Sequence, residues 1–274
     1  MHKCGITGHT GVIGSNFIKK KFGFKFIKFK GDISNKGNVH RWIKTNSFDL
    51  IIHFAAIVPI KIVENNYSYA NKVNYIGTKN LVDAIINNKR NLKWFFFSST
   101  SHVYNFNKKK KIKENFIKKP FSKYGKTKLK AEKYIKFKLS KYKIPYCIGR
   151  IFSFTHPSQH DFYLIPRIFK KIRNSKNREI IFHNMNHYRD FVSVNDICEA
   201  INFLWKKRAR GVFNVAKGKI VYIKAIAKYL CDKFKKKSIF IDNKKVTYLI
   251  ADINKINNFG WKAKKNIFQI LNEF

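Results

Sequence analysis

Acidic residues are what this sequence has least of for its size. Its 274 residues carry 15 Asp and Glu against 58 Lys and Arg, a formal net charge of +43. Cysteine is sparse: Cys4, Cys147, Cys198 and Cys231 lie far apart and form no Cys-x-x-Cys pair, which argues against a disulfide framework and a metal site. Long apolar runs are missing too. The longest, Leu50 to Ile60, is broken by His53 and Pro59 and falls short of the roughly 18 residues a spanning helix needs, so no membrane partner is expected. Met1 to Ile6 leads straight into a glycine-rich stretch, leaving no room for a signal's charged and apolar regions, and a cytoplasmic location is expected.

The excess of positive charge points first to nucleic acid or another polyanion. Arginine, however, is scarce: there are nine (Arg41, Arg90, Arg150, Arg167, Arg173, Arg178, Arg189, Arg208, Arg210), leaving 49 lysines. Readers of nucleic acid lean on the planar guanidinium fork. The lysines come with abundant Phe, Ile, Asn and Tyr and five Pro, a set with A/T-rich codons. Nucleic acid is therefore not the expected partner, and the charge reads mainly as a compositional overlay on a solvated surface. The four-lysine run Lys108 to Lys111 reads as a solvated loop, with contact to phosphate as the alternative. With 45% hydrophobic and 16% aromatic residues the chain can bury a core, which excludes disorder.

Short apolar runs alternate with amphipathic stretches. Lys3 to Ile6, Lys25 to Phe29, Leu50 to Ala55, Trp94 to Ser98 and Pro145 to Ile151 read as strands; Gly11 to Lys21, Tyr67 to Asn87 and Ser122 to Leu139 read as helices. That alternation predicts an α/β fold, a Rossmann-type doubly wound parallel sheet. Beyond Arg150 the pattern changes: Phe152 to Asp161 reads as a loop, Ile165 to Arg173 as a basic helix, Ile180 to His183 as a strand. Asp196 to Lys206 reads as a helix with Asn195 or Asp196 as N-cap. The expected organisation is an NAD(P)-binding domain over 1–150, with 189–215 returning to it, and a smaller C-terminal substrate-binding lobe over 151–188 and 216–274.

Thr7-Gly8-His9-Thr10-Gly11-Val12-Ile13-Gly14 sits between a strand and a helix. There Gly8 permits a tight turn, Gly11 lets backbone approach a pyrophosphate, and Gly14 lets helix pack on strand, with the helix N-terminus facing the phosphates. No acidic residue ends the second strand; Lys28 and Lys30 stand there and Asp32 follows, which favours NADP over NAD.

A tyrosine four residues before a lysine on a helix puts both on one face, where the ammonium favours the phenolate and the tyrosine can move a proton during hydride transfer. Five pairs have this spacing: Tyr75/Lys79, Tyr104/Lys108, Tyr124/Lys128, Tyr134/Lys138 and Tyr229/Lys233. Only Tyr124 starts a helix downstream of a hydroxyl cluster, Ser98-Ser99-Thr100-Ser101, at the carboxyl end of a strand, where ligands of open α/β sheets bind.

With TGHTGVIG, GDISN at 31–35, DLIIHFAA at 49–56, VNYIGTKNLVDA at 73–84, SSTSHVY at 98–104, YGKTK at 124–128, RDFVSVND at 189–196 and FGW at 259–261, the chain resembles the extended short-chain dehydrogenase/reductases, the NAD-dependent epimerase/dehydratase family acting on nucleotide sugars. The resemblance runs over nearly the whole chain. It implies Gly8, Thr10, Gly11, Val12, Ile13 and Gly14 around the cofactor phosphates, Asp32 and Ile33 near the adenine, and Ala55, Ala56, Asn74 and Ser98 along the cofactor. It further implies Thr100, Tyr124 and Lys128 as catalytic residues and His102 and Arg189 as substrate contacts, Arg189 reaching the substrate's diphosphate. For Asn74 and Arg189 the residues alone leave a buried amide and a surface ion pair open.

The sequence departs from the family where 4,6-dehydratases carry an Asp-Glu pair after the threonine; here stand Ser101 and His102. It departs again at Asn105, where relatives have glycine. The resemblance implies hydride transfer at carbon 4 of a nucleotide-linked hexose in polysaccharide biosynthesis, with a homodimer as the assembly. The 4-keto reductase is favoured by the stretch 150–167, and a UDP-glucose 4-epimerase-like enzyme with retained NAD is the alternative. A non-catalytic RNA-binding relative is the reading from another class.

Overall fold

The structure is a computed structural model, described over residues 1–88, 91–105 and 110–274. Arg90, Lys108 and Lys109 lie outside these residues. The chain divides into two compact units, one of residues 1–105, 117–151 and 197–213, the other of 106–116, 152–196 and 214–274.

In chain order the elements are β1 His2–Thr7, α1 Val12–Lys19, β2 Phe24–Lys28, α2 Lys36–Thr45, β3 Leu50–His53, α3 Ile60–Asn65, α4 Tyr67–Asn71, α5 Gly77–Asn87, β4 Trp94–Thr100, α6 Lys123–Lys141 and β5 Tyr146–Ile151. Then come α7 Leu164–Asn174, β6 Glu179–His183, β7 His187–Arg189, α8 Val194–Lys206, β8 Gly211–Val215, β9 Val221–Tyr222, α9 Ile223–Lys233, β10 Lys237–Ile241, β11 Thr247–Leu249, α10 Asn254–Asn258 and α11 Ile267–Leu271.

The central sheet has the order β2-β1-β3-β4-β5-β8, and β1 pairs in parallel with both β2 and β3. Chain order thus reverses direction at β1, and the crevice outside the carboxyl ends of β1 and β3 is the topological switch point of a doubly wound sheet. Parallel strands are covered on both faces, so they read as unbroken apolar runs. Trp94-Phe95-Phe96-Phe97 of β4 shows this: all four are fully buried, each side chain worth about 1.5–3 kcal/mol of burial. On one face Val39, Trp42 and Ile43 of α2, Leu81, Val82 and Ile85 of α5, and Ala131, Ile135 and Leu139 of α6 form a continuous core.

Three features differ from the sequence expectation. The stretch Tyr67–Asn87 is not one α-helix: α4 and α5 flank a π-helical turn, Lys72–Ile76. Asn74, inside that turn, accepts from the Ile57 amide (2.7 Å) and donates to the Ile57 carbonyl (2.9 Å), tying the widened turn to the chain after β3. Apolar periodicity cannot register one wide turn. Second, neither Asn195 nor Asp196 caps α8. The Ser193 hydroxyl accepts from the Asp196 amide (2.9 Å), while the Asp196 carboxylate receives that hydroxyl and the amides of Lys264 and Lys265. Third, β3 stops at His53, two residues before Ala55.

The second unit has its own core, built from Ile165, Ile168 and Ile172 of α7, Ile226 and Leu230 of α9, and Ile267 and Leu271 of α11. Segment 189–196 lies in this unit. Among the described residues no helix is long and apolar enough to cross a membrane, and no group of three or more His, Cys, Asp or Glu could hold a metal.

Candidate active site

The glycine loop joins β1 to α1. Gly8 has φ +68°, and a Cβ there would strike the Ala55 backbone; one at Gly14 would strike the Gly8 carbonyl. A Cβ on Gly11 would meet nothing nearer than the Gly8 carbonyl at 3.5 Å, so no described residue crowds that side of the loop. Gly11 is also the N-cap of α1 and offers no side-chain acceptor to the first amides. A cradle of this shape, open at the middle glycine with free helix amides behind it, fits a dinucleotide pyrophosphate.

Thr7, just before Gly8, anchors the loop to the end of β3. Its hydroxyl accepts from the Ala55 amide (3.3 Å) and meets His53 Nδ1 at 2.6 Å, while His53 Nε2 meets Thr78 Oγ1 at 2.9 Å. Thr78 already donates to the Asn74 carbonyl, so it accepts from His53, which makes Nε2 the protonated nitrogen. His53 is fully buried; burial, and secondarily the Lys128 charge, holds its pKa down at about 3. In the sequence it reads only as a break in an apolar run, not as a site residue. Asn74 Nδ2 also donates to Thr127 Oγ1 (3.1 Å), whose hydroxyl donates to the Tyr124 carbonyl (2.8 Å). Asp32 holds the Ser34 amide and hydroxyl, and Ile33 is buried in the core.

Tyr124 and Lys128 lie on the buried face of α6, 7% and 1% exposed. The helix is capped by Ser122, whose hydroxyl accepts from the Gly125 amide (3.1 Å). Gly125 has to be glycine, because a Cβ would overlap the His102 carbonyl; its absence lets the start of α6 settle on the turn after β4. In consequence the His102 and Tyr124 rings are 5.9 Å apart, and Thr100, 7% exposed, accepts from the His102 amide (3.2 Å). Ser98 is half-buried on the same strand end.

Lys128 Nζ sits 4.1 Å from the centre of the Phe97 ring. Burial pulls its pKa down to about 7, with Glu132 acting in the opposite sense. Glu132 and Arg150 form a fully buried ion pair: Arg150 Nε to Glu132 Oε1 2.9 Å and Nη2 to Oε2 2.6 Å. Ser99 Oγ donates to the same carboxylate (2.5 Å), and Arg150 Nη1 donates to Tyr104 Oη (2.7 Å). Glu132 was not singled out from the sequence; its signal is that it is the one acid on α6, four residues beyond Lys128.

The competing Tyr–Lys pairs have other partners. Tyr134 binds Asp83, Lys79 pairs with Asp83 (2.9 Å), Tyr229 donates to Asn272 (2.7 Å), and Tyr104 serves Arg150. In the second unit, Arg189 Nη1 donates to the Tyr188 and Thr247 carbonyls and to Thr247 Oγ1, and burial lowers its pKa to about 10. Its neighbour Asp190 accepts from the amides of Lys217, Gly218 and Ala251, while burial raises its pKa to about 7.

A switch-point glycine cradle, a buried Tyr–Lys pair on a helix and a buried threonine at the end of the neighbouring strand make up the arrangement of a short-chain dehydrogenase/reductase. The sequence model of the GDP-mannose 4,6 dehydratase family matches residues 18–274, and the chain belongs to that family of nucleotide-sugar enzymes. It is 27% identical over 270 residues to GDP-6-deoxy-D-talose 4-dehydrogenase of Aggregatibacter actinomycetemcomitans, covering 92% of this chain and 89% of the relative. It is 25% identical over 260 residues to dTDP-D-glucose 4,6-dehydratase of Bos taurus, covering 90% and 72%. In structure it superposes on RMD from Pseudomonas aeruginosa complexed with NADPH, with a TM-score of 0.90 at 19% identity over 100% of this chain and 97% of that one. The UDP-glucose 4-epimerase of Thermotoga maritima, solved with UDP-glucose, gives 0.88 at 23% identity over 99% and 96%. These likenesses define the fold.

Proposed function

We propose that the protein is an NAD(P)-dependent reductase of a 4-keto nucleotide-linked hexose, its first unit holding the cofactor and its second the substrate. The observation that carries this reading is the buried Tyr124–Lys128 pair, with the Tyr124 ring near His102, whose amide donates to Thr100 at the carboxyl end of β4. A nicotinamide bound there supplies the hydride. Thr100 Oγ1 donates a hydrogen bond to the carbonyl oxygen, Tyr124 Oη delivers the proton that oxygen needs as it becomes a hydroxyl, and the Lys128 ammonium steadies the phenolate left behind. Ser101 and His102 supply no carboxylate pair after the threonine, which disfavours removal of water across carbons 5 and 6. The 4-dehydrogenase relative and the NADPH-bound neighbour support a reductase; Lys28 and Lys30 support NADP.

The purified protein is analysed by mass spectrometry for bound cofactor, then assayed with NADPH and a GDP- or dTDP-4-keto-6-deoxyhexose. Stoichiometric NADPH oxidation that falls by about 10²–10⁴-fold in Tyr124→Phe is expected. Tightly held NAD and interconversion of a UDP-hexose without added cofactor would replace this reading with the epimerase. Salt-dependent RNA binding indifferent to Tyr124→Phe, with no turnover, would replace it with a non-catalytic relative.

A further inference from the structure

We propose that Glu132, held by Arg150 and Ser99, is a positioning residue for the reaction: its carboxylate keeps Lys128 protonated in a site that otherwise favours the neutral amine. This rests on the reading of Lys128 as the partner of Tyr124. Tyr124, Lys128 and Glu132 follow one another at four-residue intervals, so they share one face of α6 with rises of about 6 Å between them. All three are buried. An ammonium taken out of water loses its proton readily unless an anion is near; the Phe97 face beneath Lys128 favours the cation, but more weakly than a full negative charge does.

Among the described residues, the titratable groups that bear on Lys128 are Glu132, one turn on along α6, and His53 at the end of β3; Tyr124 precedes it on the same face with His102 beyond, while Arg150 on β5, Tyr104 after β4 and Lys118 before α6 gather around Glu132. His53 is neutral, Tyr104 is bound to Arg150, and Arg150 and Lys118 are cationic groups. Glu132 is the anion of this set. A helix with eight lysines has placed its single acid one turn beyond the lysine that is buried.

The carboxylate is itself held in place. The bidentate guanidinium and the Ser99 hydroxyl occupy its lone pairs and fix its orientation. Because Ser99 lies between Ser98 and Thr100, the same carboxylate fixes the end of β4 against α6. Tyr124 and the strand-end hydroxyls are thus set relative to one another through Glu132.

The test reads Lys128 directly and needs no substrate. Protein carrying ¹³C at lysine Cε is titrated by NMR, the Lys128 resonance being the one lost in Lys128→Met. In Glu132→Gln the midpoint is expected to fall by at least about one pH unit, a tenfold loss of affinity for the proton, since the carboxylate is gone and the Arg150 guanidinium it held is left without a counter-charge. Glu132→Gln/Arg150→Gln, which leaves no lone buried charge, is expected to shift it in the same direction by less. An unmoved midpoint in a folded variant, or loss of folding in both, would make the pair purely structural and overturn the proposal. Failure of the reductase assay with a shifted midpoint would instead count against the proposed function alone.

Discussion

The two faces of α6 carry the same residue type under opposite conditions. On one, Lys126, Lys130, Lys133 and Lys141 are exposed to water; on the other, Lys128 is 1% exposed between Tyr124 and Glu132. Water screens and hydrates the first group, so each lysine there is nearly interchangeable with any polar residue. The inner lysine feels burial, an aromatic ring and a specific carboxylate, and it acts in turn on His53. Composition counts all of these lysines alike. Their chemistry differs by position, and the abundance of the outer ones says nothing about the inner one.

The contrast is open to attack at three points. The largest effect is expected from Arg150→Met, which strands the Glu132 carboxylate in the core: urea denaturation is expected to show a loss of about 3–5 kcal/mol, and a loss comparable to a surface change would deny the inner face its special status. Next comes His53. Its folded pKa of about 3 lies below the ordinary value of 6.5, so its contribution to stability is present above pH 6.5 and is lost as pH falls toward 3. By pH 5 the native protein is expected to have lost about 2 kcal/mol relative to His53→Gln, each unit being worth about 1.4 kcal/mol; parallel stability curves for the two proteins would refute the burial of a neutral imidazole. The smallest effect belongs to the outer face, where Lys126→Gln with Lys133→Gln is expected to change stability by no more than about 0.5 kcal/mol and to leave turnover alone.

Much of this was legible in the sequence because it is written locally. Five strands of the main sheet, the glycine loop and the Tyr124 helix depend on runs of neighbouring residues. Helix α2 escaped because only Val39, Trp42 and Ile43 of its ten residues are buried, and α3 because Val63 alone is. The π-helical turn depends on Asn74 meeting Ile57, seventeen residues away, and the cap of α8 was misplaced by two or three residues because Ser193, not Asn195 or Asp196, accepts the first-turn amide. His53 and Glu132 were missed as site residues for a different reason. Their roles come from partners contributed by other elements: Thr7 and Thr78 for one, Ser99 and Arg150 for the other.

The few acids follow the same logic. Glu132, Asp190 and Asp196 are all buried, each accepting at least three hydrogen bonds, in a chain with 58 basic residues to compete for them. Where carboxylates are scarce, those that remain mark places where a backbone or a cation has to be held.

The four cysteines give the molecule a built-in clock. All are free and buried, Cys4, Cys147 and Cys198 in the first unit and Cys231 in the second. Burial pushes the thiols of Cys4, Cys198 and Cys231 up, away from the reactive thiolate. A thiol-specific dye therefore gains access at the pace at which each region opens, and peptide-resolved labelling times the breathing of the two units separately, without any engineered probe.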